Sequence, residues 1–272
     1  MTDEKLHILP FLAEDLDGAD LFVGIEKTNL KLAVVNRVKN LSHILNFALN
    51  SGSAIENILP FNIRELNRCR KVSISLALDK FVIVPASFFD TRAATDYLDQ
   101  AYEIDRSEKV RYKLIKTMNA FMVYQQNEYF NKLINIFPKT EIVLPEVDSF
   151  VQYINNNKER VDLYLHFHNR SFILYLIIDN SVQFVQHYSF YEASDAVYYI
   201  LNVLSCFKVD PAAIKAVVSG NIMPYSDLYN TIYRFIGQVE WFNTSDSPLF
   251  AGQGFVENSH TIADLHCLAL CV

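Results

Sequence analysis

The chain has 272 residues, 51% of them hydrophobic, with 20 Phe and 15 Tyr, enough to bury one large core or two ordinary ones. Charged residues make up 20% and are mixed in sign, which excludes a disordered chain. The net charge is −7 and both halves are acidic, so nucleic acid is not expected as a partner: phosphate backbones repel such surfaces, and no run of Lys or Arg supplies a basic patch.

Met1–Leu12 lacks a basic segment followed by a long apolar stretch, so no signal peptide is expected. The longest apolar run, Phe172–Ile178, has the length of a β-strand, which argues against membrane insertion. Four sparse cysteines, Cys69, Cys206, Cys267 and Cys271, fit reduced thiols in a cytoplasmic protein.

In chain order, Leu21–Glu26 and Leu30–Asn36 read as a hairpin across Lys27-Thr28-Asn29. His43–Leu49 reads as a third strand, although Leu41, Ile44, Leu45 and Ala48 also fit a helical period. Ser53–Cys69 looks helical. Lys71–Ala77 and Phe81–Val84 are predicted strands, the second stopped by Pro85, which has no N–H for a ladder. Ser87 is the predicted cap of a helix reaching about Ala101. Strands Lys109–Leu114 and Asn119–Tyr124, a helix to Phe137, strand Glu141–Leu144 and a helix from Pro145 to about Asn156 complete this half. The tract Asn155-Asn156-Asn157-Lys158 marks a helix end and the expected boundary between domains 1–157 and 158–272.

The second half repeats the plan. Val161–His168, Ser171–Ile178 and Val182–Ser189 form a meander through turns at Asn169-Arg170 and Asp179-Asn180-Ser181. Ser194 or Asp195 caps a helix over Ala196–Phe207, and Asp210-Pro211 breaks it. Ile214–Ser219 is a buried strand ending in Gly220. A helix at Tyr225–Ile236, a strand at Gln238–Phe242 and a moderately apolar, helix-like Phe250–Val272 follow. Three meandering strands, then helix–strand–helix–strand, is the order of a ribonuclease H-like unit. Two such units predict an α/β protein with an actin-like ATPase arrangement, its mixed sheets flanked by helices.

Two blocks are more specific. Val82–Asp90 (VIVPASFFD) and the region Tyr188–Trp241, with SFYEASDAVYYILNVLSCFKVDP and AVVSGNIMPYSDLYNTIYRFIGQVEW, resemble an uncharacterised family found mostly in Bacteroidetes and assigned an actin-like ATPase fold. The resemblance implies the fold and carries no established activity with it. Active actin-like ATPases are similar to one another at two hairpins, each with an acidic residue followed by glycines. Backbone N–H groups there hold phosphates, and the acidic residue orients the metal ion and its water.

The first hairpin here is Gly24-Ile25-Glu26-Lys27-Thr28-Asn29, in which Glu26 stands for the acidic residue and Thr28 for a hydroxyl contact, with no glycine after Glu26. The second is His166-Phe167-His168-Asn169-Arg170, with neither acid nor glycine. Ser219-Gly220-Asn221 fits the strand that ends near adenosine, although glycine after a strand is also ordinary turn chemistry. The resulting expectation is a non-catalytic pseudoenzyme with no resident cofactor, acting as a cytoplasmic scaffold. It would engage an unidentified protein partner or itself through exposed aromatic residues. The alternative is a nucleotide-binding switch or ATPase whose rewired interdomain site, taking ATP and Mg, is lined by Glu26, Thr28, His168, Asn169, Arg170 and Gly220.

Three other groupings carry possible chemistry. His166 and His168 lie two apart on a strand and point the same way, as metal ligands do, yet the bland reading is the polar face of a half-exposed strand. Cys267 and Cys271 with His266 and His260 suit a buried stripe better than a metal site, and no metal is expected. Tyr188, Phe190, Tyr191, Tyr198 and Tyr199 suit either strand-to-helix packing or an interface. There is no G-x-S-x-G elbow, no G-x-G-x-x-G and no Walker-type loop.

Overall fold

The computed structural model describes residues 12–38, 41–49, 59, 61–125, 128–137, 139–157, 161–244, 247, 249 and 258–272. In chain order the strands begin with β1 (Asp20–Ile25), β2 (Asn29–Asn36), β3 (Leu41–Ala48), β4 (Lys71–Leu76) and β5 (Phe81–Pro85). Helix α1 (Ala94–Asp99), β6 (Val110–Ile115), β7 (Ala120–Gln125), α2 (Glu128–Ile136), β8 (Thr140–Pro145) and α3 (Glu146–Asn156) follow. Then come β9 (Leu163–Phe167), β10 (Ser171–Ile178), β11 (Ser181–Ser189), α4 (Ala193–Cys206), β12 (Lys215–Gly220), α5 (Asp227–Phe235), β13 (Gln238–Trp241) and α6 (Ala263–Leu270).

By their contacts the residues group into two compact units. The first comprises Met1–Leu78, Gln126–Phe150 and Thr244–Val272; the second comprises Asp79–Gln125 and Val151–Asn243. The sheet of the first unit has the order β3-β2-β1-β4-β8, and that of the second has β11-β10-β9-β12-β13. In each, the first three strands pair antiparallel and the last two join in parallel. The repeated plan read from the sequence is therefore a repeated topology.

The central strands β1 and β9 are buried along their whole length, as expected where a sheet is covered on both faces. In the first unit, Phe22, Ala33, Val35 and Ile44 form one face and pack on Ile262, Leu265 and Leu268 at the C-terminal helix. In the second, Leu163, Leu165 and Phe167 pack under Ala196, Ile200 and Leu204 of α4 and Ile232 of α5. Each fully buried Leu here is worth roughly 1.5–3 kcal/mol. The second unit also carries a small sheet of order β5-β7-β6, which buries Val84 and Val123 against Leu98 of α1.

Local chemistry moved several boundaries. The expected third strand at His43–Leu49 is β3, running Leu41–Ala48, because its pairing with β2 outweighs its helical period. Of the helix expected over Ser53–Cys69, residues 53–58 and 60 lie outside the described residues; Ile63–Arg68 is a 3-10 turn capped by Asn62, whose side chain accepts from the Arg64 N–H. Ser87 does not cap α1. Asp90 accepts from the Arg92 N–H instead and opens a 3-10 turn ahead of the helix. At α4 the N-cap is Glu192, and Asp195 reaches back to accept from the N–H groups of Tyr191 and Glu192. Helix α5 begins after Ser226, whose hydroxyl accepts from Tyr229 N–H; Tyr225, expected inside the helix, is left-handed with φ +64°. Residue 158 of the boundary tract and residues 250–257 lie outside the described residues. Among the described residues no helix is long and apolar enough to cross a membrane.

Candidate functional site

The two hairpins singled out in the sequence are built on one backbone pattern. In the first unit, the Glu26 N–H donates to the Asn29 carbonyl at 2.9 Å, the Leu49 N–H to that of Thr28 at 2.7 Å and the Ala77 N–H to that of Ile25 at 2.9 Å. In the second, the His168 N–H donates to the Ser171 carbonyl at 2.8 Å, the Phe190 N–H to that of Arg170 at 3.0 Å and the Asn221 N–H to that of Phe167 at 2.6 Å. Glu26 and His168 therefore hold equivalent positions and are both buried, while Lys27-Thr28 and Asn169-Arg170 are the equivalent exposed tips.

Around Glu26 the first unit has assembled an internal ion cluster. Gly24 of β1 lies opposite Lys31 of β2, so the lysine shares a face with Gly24 and Glu26. Lys31 Nζ lies 2.6 Å from Glu26 Oε1 and 3.3 Å from Asp264 Oδ1, and all three side chains are at least nine-tenths buried. Asp264 comes from the first turn of α6, where a carboxylate also suits the helix N-terminus. Gly24 makes room for it: a Cβ there would stand 2.6 Å from Asp264 Oδ2. Burial pulls the Lys31 pKa down, but the fields of Asp264, Glu26 and Glu146 together outweigh it, and the net direction is up. The lysine is an ammonium held in place among carboxylates.

In the second unit the same row of the sheet is filled by an imidazole. His166 replaces the small Gly24, Ile173 stands where Lys31 does, and Ser219 stands where Ser75 does. His166 Nδ1 is 2.8 Å from Ser219 Oγ, and the His166 and His168 rings are 5.1 Å apart. The strand is not half-exposed as expected: Tyr164 and His166 are buried along with Leu163, Leu165 and Phe167. The imidazoles of His166, on β9, and His168, just past its end, thus lie side by side within this unit. Gly220 has a steric cause of its own, since φ is +82° and a Cβ would fall 2.1 Å from the Phe167 carbonyl oxygen.

Of the candidate residues, Glu26 and Thr28 thus share one hairpin, with the acid buried and the threonine at the exposed tip. His168, Asn169, Arg170 and Gly220 gather at one end of the second sheet, where Gly220 pairs with Phe167. Sequence reasoning passed over Lys31 and Asp264. The available signal was a lysine at a core-facing position of an otherwise apolar strand, opposite a glycine, and an aspartate in the apolar ADLHCLAL.

Cys267 sits in a buried stripe with Leu265 and Leu268, and burial pushes its thiol pKa well up; Leu270 is exposed. In the aromatic group, Tyr188 stacks on Tyr199 at 4.8 Å and both pack with Phe190 on the core, whereas Tyr191 and Tyr198 are exposed.

Two sheets of the same five-strand order, each followed through by helices, define an actin-like ATPase fold. Residues 11–239 match the family described as "Protein of unknown function (DUF3822)", and the chain belongs to that family. A Bacteroides thetaiotaomicron protein with an actin-like ATPase fold and unknown function superimposes with a TM-score of 0.72 at 14% identity, over 98% of this chain and 100% of that one. The PilM-PilN type IV pilus biogenesis complex contains a chain that matches with a TM-score of 0.57 at 14% identity, over 93% of this chain and 98% of that one. No curated protein matches the chain.

Proposed function

We propose that this chain is a non-catalytic, cytoplasmic interaction protein, an actin-like body that no longer grips phosphate. The supporting observation is the 2.6 Å pair between Glu26 and Lys31. Glu26 is the acid that the family resemblance would assign to the metal and its water. An ammonium tethered to β2 already neutralises it, with Asp264 as a second partner. A divalent ion arriving there would have to pull Glu26 away from a buried lysine, which breaks a buried ion pair at a cost of several kcal/mol. Gly220 does not favour the nucleotide-switch alternative, because backbone packing against Phe167 accounts for it. A partner-binding role suits the fold, since a chain of similar fold is part of the PilM-PilN complex.

Thermal unfolding with and without millimolar Mg·ATP, Mg·ADP and Mg·GTP tests this reading. A ligand at 100 times its dissociation constant adds about 2.7 kcal/mol, a readily seen shift. The expected outcome is no shift with any of the three. A clear upward shift overturns the proposal and restores the switch lined by Glu26, Thr28, His168, Asn169, Arg170 and Gly220.

A further inference from the structure

The small sheet of the second unit ends in β6, which among the described residues pairs with β7 alone. One side of this strand therefore presents backbone N–H and C=O groups that another chain can use. Its side chains alternate in kind. Arg111 and Lys113 lie on one face, in register with Tyr124 and Met122 of β7; Tyr112 and Leu114 lie on the other, in register with Val123 and Phe121. Tyr112 is 47% exposed and Leu114 40%. Beside them the Phe89 ring stacks on Phe121 at 4.0 Å and meets Tyr112 at 5.1 Å, while its neighbour Phe88 stands 74% exposed. Arg106, Lys109 and Lys116 flank the strand with only Glu108 opposing them in the sequence from 106 to 116, a local basic excess in a chain of net charge −7.

We infer that β6 is a docking edge for an extended segment of a partner protein in which acidic and apolar residues alternate. Added beside β6, such a segment satisfies the outward backbone groups. Its carboxylates meet Arg111 on one face, and its apolar side chains meet Tyr112, Leu114 and the Phe89 ring on the other. Edge lysines also serve to block self-pairing, and here they do: a second β6 would set Arg and Lys against Arg and Lys. Blocking alone does not explain the two exposed large apolar side chains of the same strand, Tyr112 and Leu114. A nucleic acid would use the charges but leave the strand edge unpaired. This inference gives the interaction reading its surface and the chemistry of its partner, and it rests on that reading.

The test uses the full chain and a fluorescein-labelled peptide of alternating sequence, Asp-Val-Glu-Ile-Asp-Val-Glu, followed by anisotropy and by amide hydrogen exchange. Saturable binding is expected, with slowed exchange in Val110–Ile115. Lys109→Glu with Arg111→Glu should weaken binding about tenfold or more. Both side chains are exposed, so the fold is kept, and Tyr112→Ala provides a second, uncharged variant that should also weaken it. The same peptide N-methylated on alternate backbone amides should not bind. No binding, or equal binding of the N-methylated peptide, overturns strand addition. Equal affinity for a DNA oligonucleotide without protection of β6 overturns the peptide in favour of a plain basic patch. Self-association mapped to β6 overturns it in favour of a second copy. The two readings fail separately: a nucleotide-dependent melting shift sinks the proposed function whatever the peptide does, and a peptide failure leaves the melting result intact.

Discussion

The ends of β1 and β9 share register, hydrogen bonds and turn length, yet they are filled by opposite chemistry. In the first unit a glycine leaves a space above the sheet, and the space is occupied by charge: Lys31 between Glu26 and Asp264. In the second, His166 occupies the space with its own ring, steadied by Ser219, and backbone closes in around Gly220. The lesson is that one topology tolerates two unrelated ways of filling the same row of the sheet. The ionic solution depends on every partner being present. The imidazole solution depends mostly on shape. Mutations should therefore separate them sharply.

The largest effect should come from Lys31→Met, which preserves volume and removes the cation. It leaves buried carboxylates uncompensated, and breaking such a pair costs about 3–5 kcal/mol. Urea unfolding checks this, and the triple variant with Glu26→Gln and Asp264→Asn should recover most of the loss. A cost below about 1 kcal/mol would mean that the cluster is solvated and the contrast between the units is false. The pH dependence has a definite sign. The Lys31 pKa is raised in the folded protein, so its contribution is full below the unfolded lysine value of about 10.4 and fades only as pH rises through the higher folded value. The wild-type advantage attributable to Lys31 ionisation should survive into mildly alkaline solution.

Next in size is Gly220→Ala, which places a Cβ 2.1 Å from the Phe167 carbonyl oxygen at φ +82°. Both the backbone strain and the clash must be relieved, at a cost of about 2–4 kcal/mol. Gly24→Ala should cost less, about 1–3 kcal/mol, because the obstacle is a side-chain carboxylate 2.6 Å away rather than backbone. A double-mutant cycle of Gly24→Ala with Asp264→Ala should show strong coupling, while Gly220→Ala with Asp264→Ala should be additive. Coupling in the second cycle would show that the two fillings are not independent.

Much of this contrast was legible beforehand, and the part that was not has a physical reason. Strand alternation, turn residues and the repeated order gave both sheets, because hydrophobic period and Pro or Asn punctuation act locally. The missing glycines after Glu26 and the bulky His166-Phe167-His168 were visible as residue types. What replaced the glycines was not, because Asp264 lies 233 residues from Lys31, and no local rule pairs a lysine on β2 with an aspartate on α6. The two histidines were misjudged for a similar reason. Alternation treats one face of a strand as wet, whereas β9 is central and covered on both sides. Caps were missed by a few residues where Asp90 and Asp195 bind backbone N–H groups at a distance from the expected position.

The smallest effect on stability should come from the tips themselves, and it sharpens the comparison most. Lys27, Thr28, Asn169 and Arg170 are exposed, so Lys27→Gly with Thr28→Gly, or Asn169→Gly with Arg170→Gly, should change stability by no more than about 0.5–1 kcal/mol, mainly through unfolded-chain entropy. These changes restore the glycines that the hairpins lack but leave Lys31 paired with Glu26 and His166 in its slot. If the buried fillings withhold phosphate, glycine tips alone will not produce a melting shift with Mg·ATP in either variant. A shift in the Lys27→Gly/Thr28→Gly protein would assign the loss to the loop and make the ion cluster incidental. A shift only in the second hairpin's variant would assign it to crowding by Asn169 and Arg170, leaving the first unit's ionic closure without a functional consequence.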